Sequence, residues 1–221
     1  MSNGNVKQLL FGQFARIAKA LSSPNRLELI DFLAQGERSV EALARVSGLS
    51  VANTSQHLQQ LRQAGLVASR KDGQRVYYRL SGDDVVVLLD TLRQVADRHL
   101  AEVDRIVHTY LEARDALEPV PRTELLKRVR AGEVTVIDVR PPEEYAAGHV
   151  AGAVNVPLAQ LEAYLWELDP GQEIVAYCRG PYCVLAYDAV AELRRRGFRA
   201  RRMEDGFPEW RLAGLPVERA S

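Results

Sequence analysis

The first part of the chain shows apolar residues at helical spacing. One predicted helix carries them at i, i+3 and i+4 positions: Val6, Leu9, Leu10, Phe14, Ile17 and Leu21. A second helix is predicted after Ser23-Pro24, because serine is a good N-cap and proline suits the first helical turn. We expect a third helix over residues 40–46 and a fourth after the cap Ser50, closed by Gly65.

A hairpin and a long helix are predicted next. Two β-rich runs flank Asp72-Gly73, which is typical of a tight hairpin turn. After Ser81 the pattern predicts one helix that extends to about Leu117. The apolar positions of this helix form one seam: Leu88, Leu92, Val95, Val103, Ile106 and Tyr110. A seam of this length needs a partner to cover it, so we expect a homodimer.

The pattern changes after the proline-containing segment at residues 118–121, which predicts a linker. Beyond it, strands and helices alternate. We expect a helix at residues 122–131, strands at 135–139 and 173–177, a helix at 184–196 and a strand at 199–203. Such alternation indicates a largely parallel sheet with helices on both faces. The chain is therefore predicted to consist of an α+β domain, residues 1–117, followed by an α/β domain, residues 118–221.

Composition narrows the class of protein. The chain has 221 residues, 47% hydrophobic and 26% charged, which suits two globular domains rather than a disordered chain. We see no signal-peptide pattern and no apolar run near the roughly 18 residues that span a bilayer, so a cytoplasmic protein without a membrane partner is expected. The only cysteines, Cys178 and Cys183, cannot build a four-cysteine zinc site. No metal and no cofactor are expected.

The order of helix, tight turn, helix and hairpin is typical of a winged helix-turn-helix. The fourth helix would then contact base edges through hydrogen-bonding side chains: Asn53, Thr54, Gln56, His57 and Gln60. Residues 50–80 contain five basic residues and one acidic residue, although the net charge of the whole chain is zero. This local excess suits contact with phosphates. The candidate residues for that contact are Arg62, Arg70, Lys71 and Arg75.

Three stretches of this region, SSPNRLELI, SQHLQQLRQAGLV and RKDGQRVYYRL, resemble the ArsR family of winged-helix regulators. The resemblance implies dimers that bind operator DNA and release it when an inducer binds, often a metal or a thiol-reactive signal. The metal-binding cysteines of the family's third helix are absent from SVEALARVSG. Asp97 and His99 match the start of a family zinc motif, but Tyr110 stands where its second histidine is expected, and His108 lies off that face.

The stretch VAYCRGPYCVLAYDAV combines a strand, a short loop and a helix start around the two cysteines. Reactive thiols need groups that lower their pKa, and loop amides and a helix N-terminus supply them. The loop between the cysteines, which would hold an anion or a persulfide, consists of Arg179, Gly180, Pro181 and Tyr182. From these residues alone, a buried apolar side chain is the favoured interpretation of Cys178, and a reactive thiol is the alternative.

The stretches DVRPPEEYAAGHVAGAVNVP and EDGFPEW resemble the motifs of rhodaneses. The resemblance implies a persulfide on Cys178, formed from a sulfane-sulfur donor such as polysulfide, another persulfide or thiosulfate. An arginine commonly ends the six-residue loop in that family, and Cys183 stands there in this chain. Thiosulfate is therefore the less suitable donor, although Arg179 is a candidate to replace the charge. Asp138 and Arg140 are expected to form a supporting ion pair at a strand end.

Together these features predict a sulfur-responsive transcriptional regulator that binds operator DNA as a dimer. The alternatives are a sulfurtransferase tethered to DNA by its N-terminal domain, and a regulator with an inert rhodanese-like module. Cys183 would either resolve the persulfide or act with Cys178 as the sensor. We expect the loop to hold the two Cα atoms slightly beyond the limit of about 7 Å for a disulfide, which favours a bridge with one or two inserted sulfur atoms.

Overall fold

The computed structural model describes residues 3–112 and 118–220. The chain divides between Leu92 and Arg93 into two compact units. The boundary expected from the sequence, between residues 117 and 118, adjoins residues outside the described ones and stays a prediction. Within the described residues, no helix is both long enough and apolar enough to cross a membrane.

The described residues of the first unit form four complete helices, the beginning of a fifth, and a three-stranded antiparallel sheet in the order β1-β3-β2. The helices are α1 (Asn3–Leu21), α2 (Pro24–Ala34), α3 (Val40–Ser47) and α4 (Val51–Gln63). The strands are β1 (Arg38–Ser39), β2 (Val67–Asp72) and β3 (Arg75–Leu80). Leucines from α2, α3 and α4 meet in the core, among them Leu29, Leu43, Leu58 and Leu61. The predicted helix-turn-helix followed by a hairpin is confirmed.

Two serine caps define the turn between α3 and α4. The Ser39 Oγ accepts a hydrogen bond from the Ala42 amide, and the Ser50 Oγ accepts one from the Asn53 amide, each at 3.2 Å. Gly48 ends α3 with a left-handed φ of 68°, which favours glycine. Ser23 precedes α2, but its side chain makes no capping hydrogen bond, so only the Pro24 part of that prediction is confirmed.

The helix after the hairpin is interrupted, so the prediction of a single helix is wrong. It consists of α5 (Asp84–His99), α6 (Ala101–Ile106) and a π-helical segment (Val107–Glu112). Leu100 leaves the helical region, with φ −113° and ψ 96°, and its carbonyl accepts from the Val103 amide. Apolar spacing continues across this break and therefore did not reveal it. The expected end at Leu117 lies outside the described residues.

The second unit contains a four-stranded parallel sheet in the order β6-β4-β7-β8 and a two-stranded sheet, β5-β9. Besides the end of α5, α6 and the π-helical segment, its helices are α7 (Arg122–Arg130), α8 (Pro142–Ala147), α9 (Leu161–Tyr164), α10 (Val184–Arg195) and α11 (Phe207–Leu212). Its strands are β4 (Val134–Asp138), β5 (His149–Val150), β6 (Val154–Asn155), β7 (Glu173–Tyr177), β8 (Ala200–Arg202) and β9 (Val217–Glu218). The predicted parallel sheet is confirmed.

Alternating residues of the central strand β7 pack into two cores. Ile174 and Ala176 pack with residues of α9 and α10. Val175 and Tyr177 pack with residues of α7 and α11. A strand that is apolar on both faces is typical of a parallel sheet covered by helices on both sides. β4 pairs with β7 so that Asp138 lies opposite Tyr177, which brings the segments that follow both strands to one edge of the sheet.

Candidate functional site

The helix predicted to contact bases, α4, presents part of the predicted polar set to solvent. Asn53, Gln56 and Gln60 are exposed. Thr54 is fully buried, and its hydroxyl donates to the Ser50 carbonyl at 3.0 Å. The prediction that Thr54 contacts bases is therefore wrong, because it shares the inner face of the helix with Leu58.

Two other predicted positions on α4 have structural constraints. His57 is partly buried, and its Nδ1 has no hydrogen-bond partner among the described residues. The Gln60 Oε1 accepts from Arg26 at 2.7 Å, which ties it to the first turn of α2. Gln59 and Gln63 are exposed and were missed. Their spacing of three and seven residues from Gln56 is the pattern that would have placed them on the same helix face.

The basic residues of the hairpin fall into two groups. Arg70 forms ion pairs with Glu37 at 2.7 Å and Asp72 at 3.0 Å, and these hydrogen bonds raise the pKa of Arg70. Lys71 and Arg75 are exposed on either side of the turn. Arg62, at the end of α4, is exposed and donates to the Ser69 Oγ at 3.2 Å. Lys71 and Arg75 are therefore better placed than Arg70 to contact phosphates.

The two-cysteine loop, residues 178–183, connects β7 to α10. Cys178 follows the last residue of β7, and Cys183 is the residue before the first turn of α10. The two cysteines are joined in a disulfide with their Cα atoms 6.0 Å apart. The expectation of a separation beyond about 7 Å is therefore wrong. The loop turns back on itself, since the Cys183 amide donates to the Gly180 carbonyl at 3.1 Å.

The two sulfur-bearing residues differ in burial. Cys178 is only 1% exposed and packs in the core between β7 and α10. Cys183 is partly exposed. The Cys178 carbonyl accepts from the Phe207 amide at 3.1 Å. Next to Phe207, a Cβ on Gly206 would lie 2.3 Å from the carbonyl of Arg179 and the amide of Gly180, so only glycine allows this close approach. The sequence placed Gly206 in the EDGFPEW motif but did not predict this close approach to the loop.

A buried ion pair supports the sheet edge beside the loop. Asp138 and Arg140 are both fully buried, and their side chains approach to 2.5 Å. The Tyr177 hydroxyl also donates to the Asp138 carboxylate at 2.5 Å. Burial alone would lower the pKa of Arg140, but the hydrogen bond and charge of Asp138 raise it. Burial and the charge of Asp138 raise the pKa of Tyr177 well above its usual value.

A second ion pair determines the direction of Arg179. Its guanidinium binds both carboxylate oxygens of Glu144, with Nε at 3.0 Å from each oxygen and Nη2 at 2.7 Å from Oε1. The Glu144 side chain is fully buried. Arg179 is thus held by a carboxylate, which makes it a poor replacement for the arginine that commonly ends such loops. Sequence reasoning missed Glu144 as its partner.

Residues near the C-terminal end of α5 also contact the loop and were missed. The Tyr182 hydroxyl donates to the Asp97 carboxylate. Burial, together with the hydrogen bond and charge of Asp97, raises the pKa of Tyr182. The Arg93 Nη1 lies 3.1 Å from the Glu209 Oε1. Among the described residues, no group of three or more His, Cys, Asp or Glu side chains could hold a metal ion.

Comparison with known proteins identifies both halves of the chain. Residues 23–69 match the family model "Bacterial regulatory protein, arsR family", and residues 121–213 match the model of the rhodanese-like domain. The chain is 49% identical over 212 residues to the HTH-type transcriptional regulator Rv0324 of Mycobacterium tuberculosis, across 96% of this chain and 93% of that protein. This chain belongs to the ArsR family. It is a form of that family with a rhodanese-like domain, and both resemblances noted in the sequence are confirmed.

Solved structures resemble each half of this ArsR-family protein. One is the homodimeric winged helix-turn-helix DNA-binding domain of Mb0332 from Mycobacterium bovis, 45% identical over 45% of this chain and 91% of that chain, with a TM-score of 0.42. Another is a rhodanese-related protein from Thermoplasma volcanium, 24% identical over 46% of this chain and 98% of that chain, also with a TM-score of 0.42.

Proposed function

We propose that this ArsR-family protein is a sulfur-responsive transcriptional regulator that binds operator DNA as a dimer and senses sulfane sulfur at Cys178. The observation that carries the proposal is the disulfide between Cys178 and Cys183 across a six-residue loop. These are the only two cysteines of the chain, so a thiol-based signal must act here. Structural disulfides are rare in a reducing compartment such as the cytoplasm, where the sequence predicts this protein to act, so a redox role suits this bond.

The DNA-binding part of the proposal rests on the surface of α4 and the hairpin. Asn53 and Gln56 offer amide groups that suit base edges in the major groove. Lys71 and Arg75 at the hairpin turn are placed for phosphate contacts, which depend on charge rather than on base sequence.

The dimer part rests on apolar surface that the single chain leaves exposed. On α1, Val6, Leu9 and Phe14 are 46–59% exposed, whereas Ile17 and Leu21 of the same helix pack against the core. The predicted seam is also exposed on α5 and beyond, at Leu88, Leu92, Val95, Ile106 and Tyr110. A second copy of the chain is the occupant we propose, since a two-fold dimer would present two recognition helices to a symmetric operator.

The sensing chemistry has two steps. The Cys178 thiolate attacks a terminal sulfur of a hydropolysulfide, which forms the Cys178 persulfide and releases a hydropolysulfide one sulfur shorter. Cys183 then gives its proton to water, and its thiolate attacks the Sγ of Cys178, forms the disulfide and expels the outer sulfur with its own proton as hydrosulfide. The two thiols lose two electrons, and the sulfane sulfur takes them up. Cys178 is 1% exposed in the closed bridge, so the donor reaches it in the open form.

Closing the bridge is the event that we propose changes operator affinity. A coupling free energy of about 1–3 kcal/mol between the loop and the DNA-binding surface would change that affinity by about 5- to 150-fold.

The direct test measures operator affinity by fluorescence anisotropy, with and without polysulfide. We expect a shift for the wild type and none for Cys178→Ser. Intact mass should show loss of two hydrogens in the treated wild type. Sulfur transfer without any change in operator affinity would instead indicate a sulfurtransferase tethered to DNA. A monomer at micromolar concentration with intact operator affinity would contradict the dimer.

A further inference from the structure

Two residues one turn apart on α5 contact the two-cysteine loop and the turn behind it. Arg93 and Asp97 have i, i+4 spacing, so they lie on the same face of the helix. Neither was among the residues predicted to form the sulfur site. Both belong to the same compact unit as the loop.

Asp97 holds the loop through Tyr182, the residue directly before Cys183. The Tyr182 hydroxyl donates to the Asp97 Oδ1. Burial and the charge of Asp97 raise the pKa of Tyr182, so the hydroxyl keeps its proton and stays a donor across the physiological range. Because Tyr182 adjoins one of the two bonded cysteines, a change in the bridge acts directly on the position of this hydroxyl.

Arg93 lies beside Gly180 of the loop. Its Nη1 lies 3.5 Å from the position that a Cβ on Gly180 would take. The same guanidinium pairs with Glu209, which is 7% exposed. The Oε2 of Glu209 accepts from the Gly206 amide at 3.1 Å, and Gly206 packs directly against the backbone of Arg179 and Gly180. Arg93 therefore lies beside the loop and is paired with the turn that supports it.

We infer that the face of α5 formed by Arg93 and Asp97 detects whether the Cys178–Cys183 bridge is closed. The closed bridge holds the Cα atoms of the two cysteines 6.0 Å apart, with Tyr182 between them in contact with Asp97. Opening the bond removes that constraint and frees Tyr182 to leave Asp97. The first turns of the same helix supply Val85 and Leu89 to the core around α2 and α4, so α5 is the element that transmits the change.

The inference rests on the proposed function in one respect, namely that the bridge opens and closes. Its own test is hydrogen–deuterium exchange of the full-length protein in the reduced and bridged forms. We expect amides in the last two turns of α5, residues 93–99, to exchange more slowly in the bridged form. Equal exchange in the two forms would overturn the inference, even if polysulfide changes operator affinity.

The variant Asp97→Ala removes the acceptor of the Tyr182 hydroxyl and leaves both cysteines in place. We expect its bridge to form, with intact mass as the readout, and its operator affinity without polysulfide to stay within about twofold of the wild type. The polysulfide-dependent shift, about 5- to 150-fold in the wild type, should fall below about twofold. The matched control is Asp104→Ala, at an exposed aspartate on α6, which should respond as the wild type does.

A double-mutant cycle assigns the effect to the contact itself. If Tyr182→Phe and Asp97→Ala act through one hydrogen bond, the double variant should lose no more of the response than either single variant. Additive losses, or a full response in Asp97→Ala, would overturn the inference and leave the proposed function standing. A wild type without any response, but with bridge-dependent exchange in residues 93–99, would contradict the proposed function alone.

Discussion

The DNA-binding surface and the two-cysteine loop hold their charged groups in opposite ways. At the hairpin, Lys71 and Arg75 extend into solvent. Beside the loop, Arg140 and Arg179 are buried or nearly so, and each is paired with a carboxylate. A surface that binds a polyanion needs solvent-exposed cations that can pair with phosphates. A site for a small reactive group instead needs side chains that are preorganised by their neighbours. In the proposed function, arginine therefore contacts DNA from one unit, whereas in the other unit it stabilises the fold.

The largest effect should come from breaking the buried pair. Arg140→Ala leaves the Asp138 carboxylate buried without its cation, and we expect a loss of about 3–5 kcal/mol in the free energy of unfolding. Both tryptophans of the chain, Trp166 and Trp210, lie in the second unit, so urea unfolding followed by their fluorescence reports on it. The control Arg70→Ala removes an exposed pair and should leave this transition unchanged. Equal losses of unfolding free energy in Arg140→Ala and Arg70→Ala would show that the two regions do not differ in how much their ion pairs stabilise the second unit.

Donor preference tests whether the loop lacks a fixed cation. Cys183 ends the loop, and Arg179, the one basic residue of residues 178–183, is bound to Glu144, so the loop itself offers the negative charge of thiosulfate no dedicated cation. We expect turnover with polysulfide to exceed turnover with thiosulfate by about 10²-fold, the usual contribution of one positioned electrostatic group. With either donor, sulfide release measures sulfur transfer to a thiol, and thiocyanate formation measures sulfur transfer to cyanide. Full sulfur transfer by Cys178→Ala would show that the nucleophile is assigned wrongly.

Discrimination between DNA sequences should depend on α4. Gln56→Ala removes an exposed amide and is expected to reduce the preference for operator over random DNA by about 1–3 kcal/mol. Titrations of both DNAs at one salt concentration measure this difference. As the control, Gln35→Ala replaces a glutamine that is 1% exposed and lies after α2, so it should not change the preference. A uniform loss of affinity for both DNAs in Gln56→Ala would move Gln56 to the phosphate-contacting group.

The smallest effect is expected at the hairpin turn. Arg75→Ala should weaken binding to all DNA sequences alike and reduce the slope of log affinity against log salt by about one. Arg70→Ala should change that slope less, since Glu37 and Asp72 already balance its charge. A larger change in the slope for Arg70→Ala than for Arg75→Ala would show that the ion pairs of Arg70 break when the protein binds DNA.

Local elements of this protein were predictable because their causes lie within a few residues. The Asp72-Gly73 turn, the cap Ser50 and the strand before Cys178 all follow from neighbouring side chains and backbone preferences. The order of these elements was enough to predict both folds. The placement of the two cysteines around one loop was also predictable, because only five positions separate them in the sequence.

Only the tertiary structure decided which side chains meet. Thr54 turned inward because its helix packs on the core, and Arg179 took the direction of Glu144, 35 residues earlier. The loop held its cysteines close enough for a direct bond, and Asp97 reached Tyr182 across 85 positions. Periodicity within one element determines which residues share a face, but it carries no information about what packs against that face. Contacts between distant segments depend on how the elements fit together, and within the second unit that fit brought Arg93 and Asp97 to the sulfur loop.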